Sequence, residues 1–309
     1  MGPTTDATTN RGHLLTEQRN PRSANLDKLT VAQLFDVIHH EDASLPHLVA
    51  TAKDDICRAV GLVIDAFGHG GRLIYVGAGT SGRLGVLDAA ECPPTFLSDP
   101  STVVGVIAGG EKALTHSVEG AEDSADSGAH EMETLNVGPN DVVFGIATGG
   151  TTPYVHGALQ KANQRGGRTV FFSCVPKEQV GDDADVSIRI LTGPEVITGS
   201  TRMKAGTVTK MVLNMVSTMA MVGIGKVYEN LMVDVNATVN KKLTDRGTRL
   251  IEQLAGIEYD EARELLEAAG GQVKAAVVMH ARGISRSEAE EVLRRHEGNL
   301  RAALEQQES

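Results

Sequence analysis

Five short apolar runs, at Arg72–Val76, Val103–Ala108, Asp141–Ala147, Thr169–Cys174 and Val186–Leu191, alternate with helical stretches. No other feature constrains the fold of this chain as much. Each run is continuously apolar rather than alternating, which marks a strand buried on both faces. Strands of that kind separated by helices build a parallel sheet with helices on both sides, and ligands are expected beyond the carboxyl ends of the strands. The expected fold is α/β: a three-layer sandwich around a mainly parallel sheet. Three runs end in loops of small, glycine-rich character: Gly77-Ala-Gly-Thr-Ser-Gly82, Gly109-Gly110-Glu111 and Thr148-Gly-Gly-Thr-Thr-Pro153.

The flanks are helical. Asp42 to Phe67 reads as one long amphipathic helix with Leu48, Ala52, Ile56, Val60, Val63 and Ala66 on its apolar side, stopped at Gly68-His-Gly-Gly71. Before it, the polar Thr16–Thr30 segment carries short helical pieces to about His40, and residues 1–12 read as a disordered tail. Beyond residue 200 the chain is helical throughout. Thr201–Gly225 is rich in Met and Val, and its methionines are expected in the core. Glu261-Ala-Arg-Glu-Leu-Leu…Gly271-Gln-Val-Lys-Ala-Ala-Val277 matches Glu288-Ala-Glu-Glu-Val-Leu…Gly298-Asn-Leu-Arg-Ala-Ala-Leu304, a repeat of helix, glycine turn and helix. The expected organisation is a tail over 1–12, a ligand-binding α/β domain over 13–250 and an all-helical subdomain over 251–309.

Bulk composition excludes several functions. At 309 residues the formal net charge is −11, which does not suit a phosphate-backbone partner. Acidity at Glu288–Glu291 argues against reading the terminal repeat as a DNA-binding helix-turn-helix. Trp is absent and aromatics make up 3% of residues, so stacking platforms for bases are scarce. No uncharged apolar run reaches membrane-spanning length, and Met1–Asn10 has no apolar signal core. Cys57, Cys92 and Cys174 are scattered and odd in number, as in a reducing cytoplasm, and they form no metal-ligand pattern.

The chemistry concentrates in the loops. Gly77–Gly82 fits G-x-G-x-x-G between a strand and a helix, but the acidic residue that a dinucleotide wants at the end of the next strand is replaced by Ala108-Gly-Gly110. Gly79 with the Thr80 and Ser81 hydroxyls suits a phosphomonoester; a purely structural turn is the remaining reading. Thr148, Gly150, Thr151 and Thr152 repeat the formula, and Pro153 falls where a helix begins. Gly193–Thr207 gathers Glu195, Ser200, Thr201, Arg202 and Lys204 at the start of an apolar helix, where unpaired N–H groups favour an anion. Together these loops point to a sugar phosphate. Glu91, read as following a helix over Leu84–Ala90 and stiffened by Cys92-Pro-Pro94, is a candidate acid or base. Glu119-Gly-Ala-Glu-Asp123 reads on its own as a solvated acidic face, and Cys92 as a packed thiol.

These residues resemble a known family. Gly193–Thr207 is similar to the signature shared by N-acetylmuramic acid 6-phosphate etherases and the glucokinase regulatory protein, which carries two such sugar isomerase-type domains in a chain about twice as long. Gly77–Gly85, Leu87–Pro94, Gly109–Glu111, Glu119–Asp123, Asn230–Val235 and the Thr16-Glu-Gln-Arg-Asn-Pro21 opening resemble the etherases, and the likeness spans roughly 15–305. It implies a cytoplasmic homodimeric lyase without metal or redox cofactor, acting on a small-molecule sugar phosphate. The residue matching the family's proton donor is Glu91, and the second catalytic glutamate falls on Glu122. Thr80 and Ser81 match a phosphate loop, and Glu195 an acceptor of sugar hydroxyls. Charge makes Ser200, Thr201, Arg202 and Lys204 candidates for phosphate or the lactyl carboxylate. In the second loop Gly149 and Thr151 stand where etherases usually carry Ser and Arg, so a cation is lost while Thr148 or Thr151 keeps a hydroxyl. A non-catalytic sugar-phosphate sensor would not need both glutamates, and an aldose–ketose isomerase would need only a base at C2.

Overall fold

A computed structural model of the chain describes residues 11–234, 237 and 241–305. The expected tail lies outside the described residues up to Asn10; Arg11–His13 already forms a 3-10 turn. Further 3-10 turns at Leu15–Glu17, Pro21–Ser23 and Leu26–Lys28 lead into three helices, α1 (Val31–Ala43), α2 (Leu45–Thr51) and α3 (Lys53–Gly68). The single helix expected over Asp42–Phe67 is therefore broken twice. Pro46 removes the N–H that would bond to Asp42, and Asp54 and Asp55 favour a new helix start after Ala52. α1 begins at a full capping box between Thr30 and Gln33.

The α/β domain then runs β1 (Leu73–Gly77), α4 (Gly79–Phe96), β2 (Val103–Ile107), α5 (Lys112–Thr115), α6 (Ala125–Thr134), β3 (Val142–Ile146), α7 (Pro153–Gln164), β4 (Arg168–Ser173), β5 (Val186–Arg189) and α8 (Lys204–Gly223). The five strands form one sheet in the order β2-β1-β3-β4-β5, and every pairing is parallel. Leu73, Tyr75, Phe144 and Phe172 face a layer made by α2, α3, α4 and α8. Ile74, Val76, Val143 and Phe171 face α6 and α7. β1, β3 and β4 beyond Arg168 are buried on both faces, which is why their runs carry no polar alternation. The edge strand β5 departs from the expectation and alternates buried Val186 and Ile188 with half-buried Ser187 and Arg189. Each fully buried aliphatic or Phe side chain contributes roughly 1.5–3 kcal/mol over its exposed state.

Two sequence expectations change here. α4 does not end at Ala90 but continues through Pro93 and Pro94 to Phe96. The prolines sit in its last turns, where they delete only the bonds to Ala89 and Ala90 and keep a helical φ. The methionines of α8 also divide: Val208, Val212, Leu213 and Val216 turn inward with Met221, while Met215 and Met219 stay exposed beside Val222.

α9 (Lys241–Ala255), α10 (Tyr259–Ala268), α11 (Val273–Arg282), α12 (Arg286–Arg295) and α13 (Leu300–Glu305) complete the chain, the last four reproducing the two repeat copies. Their core includes Val233, Leu250, Ile251, Leu266, Val277 and Leu300. The boundary expected at 251 thus falls inside α9, which packs on α10 and α11.

Candidate active site

Strand order reverses between β1 and β3, since β2 lies beyond β1 and β4 beyond β3. A reversal of this kind opens a crevice at the carboxyl edge. The two loops that follow these strands are Gly77–Gly82 and Thr148–Pro153, so topology alone sets the two glycine-rich loops side by side.

In the first loop, a Cβ on Gly77 would lie 2.6 Å from the backbone N of Gly82, so these glycines allow α4 to start hard against β1. Gly79 has φ +54, and a Cβ there would meet nothing within 4 Å. The Ala78 N-cap supplies no side-chain acceptor. The first N–H groups of α4 therefore face the crevice unsatisfied, beside the Thr80 hydroxyl and the buried Ser81. In the second loop, Gly150 has φ +83 and its Cβ position is 2.8 Å from Val175 Cγ2, which admits only glycine. His156 Nε2 lies 2.6 Å from the Gly150 carbonyl and fixes the loop to α7. Thr152 caps α7 without a side-chain bond, leaving a second open helix start. Thr148 is buried at this edge, and Thr151 is half-buried.

A cavity of about 270 Å³ adjoins the first loop and is lined by Gly79, Arg83, Ala108, Glu119 and Glu122, among others. Arg83 donates to the carbonyls of Leu114 and His116, each at 3.1 Å, and so pins the intervening segment to α4. Glu122 sits exposed on the 3-10 turn Ala121–Asp123 that follows Gly120. A larger groove of about 710 Å³ lies among α11, α12 and α13, but it holds none of the loops described above.

Glu91 is not in the Gly79–Glu122 cavity. It is exposed on α4 twelve residues beyond Gly79, a rise of about 18 Å at helical pitch. Thr80, Leu84, Leu87 and Glu91 fall at i, i+4, i+7 and i+11, one stripe of the helix. Leu87, in the middle of that stripe, is 53% exposed. Cys92, next to Glu91, is buried, with Sγ 3.3 Å from the Asp88 carbonyl, and burial pushes its pKa up to about 12. It is a packed thiol.

The Gly193–Thr207 segment lies beside the first loop, with Thr80 Cγ2 3.5 Å from the Cβ position of Gly206. Two of its residues are turned into the fold, contrary to the expected ligand roles. Glu195 is fully buried, and its two oxygens accept the N–H groups of Lys204 and Ala205 at 2.9 Å each. It caps α8, whose first amides need an acceptor. Burial outweighs these bonds and holds its pKa above the ordinary carboxylate value. Lys204 Nζ pairs with Glu41 Oε2 at 2.6 Å, and Glu41 Oε1 takes Arg22 Nη1 at 2.8 Å. Ser200 and Thr201 remain half-buried and Arg202 exposed. Asn20, Arg22 and Glu41 were not expected as partners. The Thr16–Pro21 motif was the only signal that the N-terminal segment belongs to this edge.

The "Glucokinase regulatory protein N-terminal SIS domain" model matches residues 55–163, and the "SIS domain" model matches residues 119–219. Fold and site thus define an SIS-domain α/β protein of sugar isomerase type. The chain is 53% identical to an N-acetylmuramic acid 6-phosphate etherase of Synechocystis sp. over 96% of both chains. It is 54% identical to the etherase of Crocosphaera subtropica, again over 96% of both. A solved phosphoheptose isomerase from Neisseria gonorrhoeae is 14% identical with a TM-score of 0.47, covering 62% of this chain and 98% of that one. The chain belongs to the N-acetylmuramic acid 6-phosphate etherase family.

Proposed function

We propose that this chain is a carbon–oxygen lyase that removes D-lactate from N-acetylmuramic acid 6-phosphate in the cytoplasm, giving N-acetylglucosamine 6-phosphate during cell-wall sugar recycling. The observation that carries this reading is a cavity in which Glu122 stands beside the open N-terminus of α4 at Gly79, in a chain 53% identical to etherases over its length. The phosphate takes the N–H groups and hydroxyls of Thr80 and Ser81 and of the Thr148–Thr152 loop. Ser200, Thr201 and Arg202 lie at the same edge for its oxygens or for the lactyl carboxylate.

In the open-chain sugar, the C1 aldehyde acidifies the hydrogen on C2. Glu122 takes that proton, and the C3–O bond to lactate breaks as a C2–C3 double bond forms. Glu91, in its acid form, protonates the departing lactate oxygen. Water then adds at C3, giving one proton back to Glu91, and Glu122 returns its proton to C2. One water enters, one lactate leaves, and both carboxyls regain their starting states.

C2 and C3 are adjacent, yet the two glutamates of one chain are not. A two-fold axis crossing α4 midway between Gly79 and Glu91 resolves this. It lays α4 antiparallel to a second copy and sets the partner's Glu91 opposite the Gly79 cavity. Leu87 on α4 and Met215, Met219 and Val222 on α8 are exposed apolar side chains on two helices packed on each other, which such a homodimer would cover. The test is release of D-lactate from N-acetylmuramic acid 6-phosphate by the purified chain, followed by an enzyme-coupled assay. Stoichiometric appearance of N-acetylglucosamine 6-phosphate supports the lyase, and binding without release of lactate overturns it.

A further inference from the structure

Among the described residues, three buried side-chain hydroxyls have no hydrogen-bond partner: those of Thr16, Ser98 and Tyr154. Ser98 lines a cavity at the amino edge of the sheet with Arg72 and Thr102, far from the loops. Tyr154 lies within the packed core of α6 and α7. Thr16 is different because of what it faces. It is 0% exposed, and among the described residues its Oγ1 is the one atom beyond Gly149 and its chain neighbours within 4 Å of the Cβ position of Gly149, at 3.7 Å. Gly149 itself brings no side chain to the second loop.

The segment around Thr16 is tied down as a strap across the carboxyl edge. Leu15 N donates to Gln179 Oε1 at 3.0 Å, and Asn20 Nδ2 donates to the Pro194 carbonyl at 3.3 Å. Arg22, through Glu41, joins the strap to Lys204 at the start of α8. Glu17 Oε2 lies 3.0 Å from the Cβ position of Gly199, so the strap also touches the Gly193–Thr207 segment. Unlike Ser98 and Tyr154, this unpartnered donor stands against a glycine-rich loop at the carboxyl edge, where a group from outside the chain can become its partner.

We infer that Thr16 is a substrate-binding residue: its O–H donates to a phosphate oxygen of the sugar phosphate in the Thr148–Pro153 loop, supplying the hydroxyl that Gly149 cannot. This rests on the reading that the second loop holds the phosphate. A Cβ at 149 makes only an ordinary van der Waals contact with Thr16, so a serine there would fit and could take over the same donor role.

The experiment compares wild type with Thr16→Val, Thr16→Ser, Gly149→Ser and the Thr16→Val/Gly149→Ser double variant. Steady-state lactate release is measured, together with thermal protection by N-acetylglucosamine 6-phosphate, by inorganic phosphate and by unphosphorylated N-acetylglucosamine. Thr16→Val is expected to raise KM about tenfold, as a bond to a charged acceptor requires, with kcat within about twofold. Protection by both phosphorylated ligands weakens, and that by N-acetylglucosamine does not change. Thr16→Ser keeps wild-type KM, and Gly149→Ser restores affinity to Thr16→Val. The melting temperature of Thr16→Val stays level or rises, because no protein partner is lost. An unchanged KM and unchanged phosphate protection in Thr16→Val overturn the assignment while leaving the loop reading intact. Absence of protection of wild type by either phosphorylated ligand overturns the loop reading and this assignment with it.

Discussion

At the amino edge of the sheet, the charged pair Arg72 and Asp141 is satisfied within the chain, although the buried Ser98 hydroxyl nearby is not; at the carboxyl edge, two helix starts and a buried hydroxyl stand open. Arg72, just before β1, holds Asp141, just before β3, with a 2.7 Å Nη2–Oδ2 contact and a second bond from Nε at 3.0 Å. The Asp141 carboxylate also accepts the N–H groups of Arg72 and Gly138, and these partners keep its pKa below the usual range despite burial. Across the sheet, only about five residues of strand away, α4 and α7 begin without side-chain caps and Thr16 points an unpaired hydroxyl at Gly149. The same β1 and β3 bound both ends. The difference is therefore not one of topology but of saturation: the Arg72–Asp141 network is closed within the chain, and the helix starts at the opposite edge are open.

The largest expected effects come from the glutamates. Glu122→Gln or Glu91→Gln should lower lactate release by about 10²–10⁴-fold, the usual range for loss of a general acid or base. Both side chains are exposed, so melting temperatures should stay near wild type. A loss of activity that tracks a loss of folding would erase the distinction between the edges. Mixing the two inactive variants under subunit exchange sharpens it further. If one copy supplies Glu91 and the other Glu122, each mixed dimer keeps one intact site, and activity returns to about a quarter of wild type at equal mixing. No recovery, with exchange verified, would mean that both glutamates act within one chain.

The amino edge should answer in the opposite way. Asp141→Ala strips the partner from a mostly buried Arg72 and from the Gly138 amide, and should cost about 3 kcal/mol of stability. Activity per folded molecule should not move, which denaturant melts alongside kcat would establish.

Saturation also explains what could be read from sequence. The five apolar runs all became strands and the glycine loops all fell at strand ends, because burial on both faces and tight helix–strand approach leave local signatures. The capping box of Thr30 and Gln33 that starts α1 is just as local a signature, but it went unread. What local pattern cannot carry is the pairing of distant groups. Glu195 and Lys204 look ligand-facing in a segment rich in hydroxyls and cations, and only the fold reveals that Ala205 and Glu41 claim them. Glu91 looked like a neighbour of the phosphate loop through Cys92-Pro-Pro94, but a helix running through both prolines carries it twelve residues along α4 from Gly79. The order β2-β1-β3-β4-β5, which places the two loops together, is likewise invisible in any window of the chain.

The smallest effect separates two buried carboxylates that both serve the strap and α8. Burial opposes ionisation of Glu41, but Lys204, Asn20 and Arg22 more than offset it, so its folded pKa lies below 4.5. Its contribution to stability is present above 4.5 and is lost as pH falls through the lower folded value. Glu195 has the reverse sign, because burial holds its folded pKa above 4.5. Its contribution is complete below 4.5 and is lost as pH rises through the higher folded value. Melting curves of wild type, Glu41→Gln and Glu195→Gln from mildly acidic pH downwards should therefore diverge. The advantage of wild type over Glu41→Gln should shrink on acidification, and its advantage over Glu195→Gln should grow. Parallel trends would show that the two carboxylates share one environment, and that the strap is not held by the Glu41 ion pairs in the way its geometry requires.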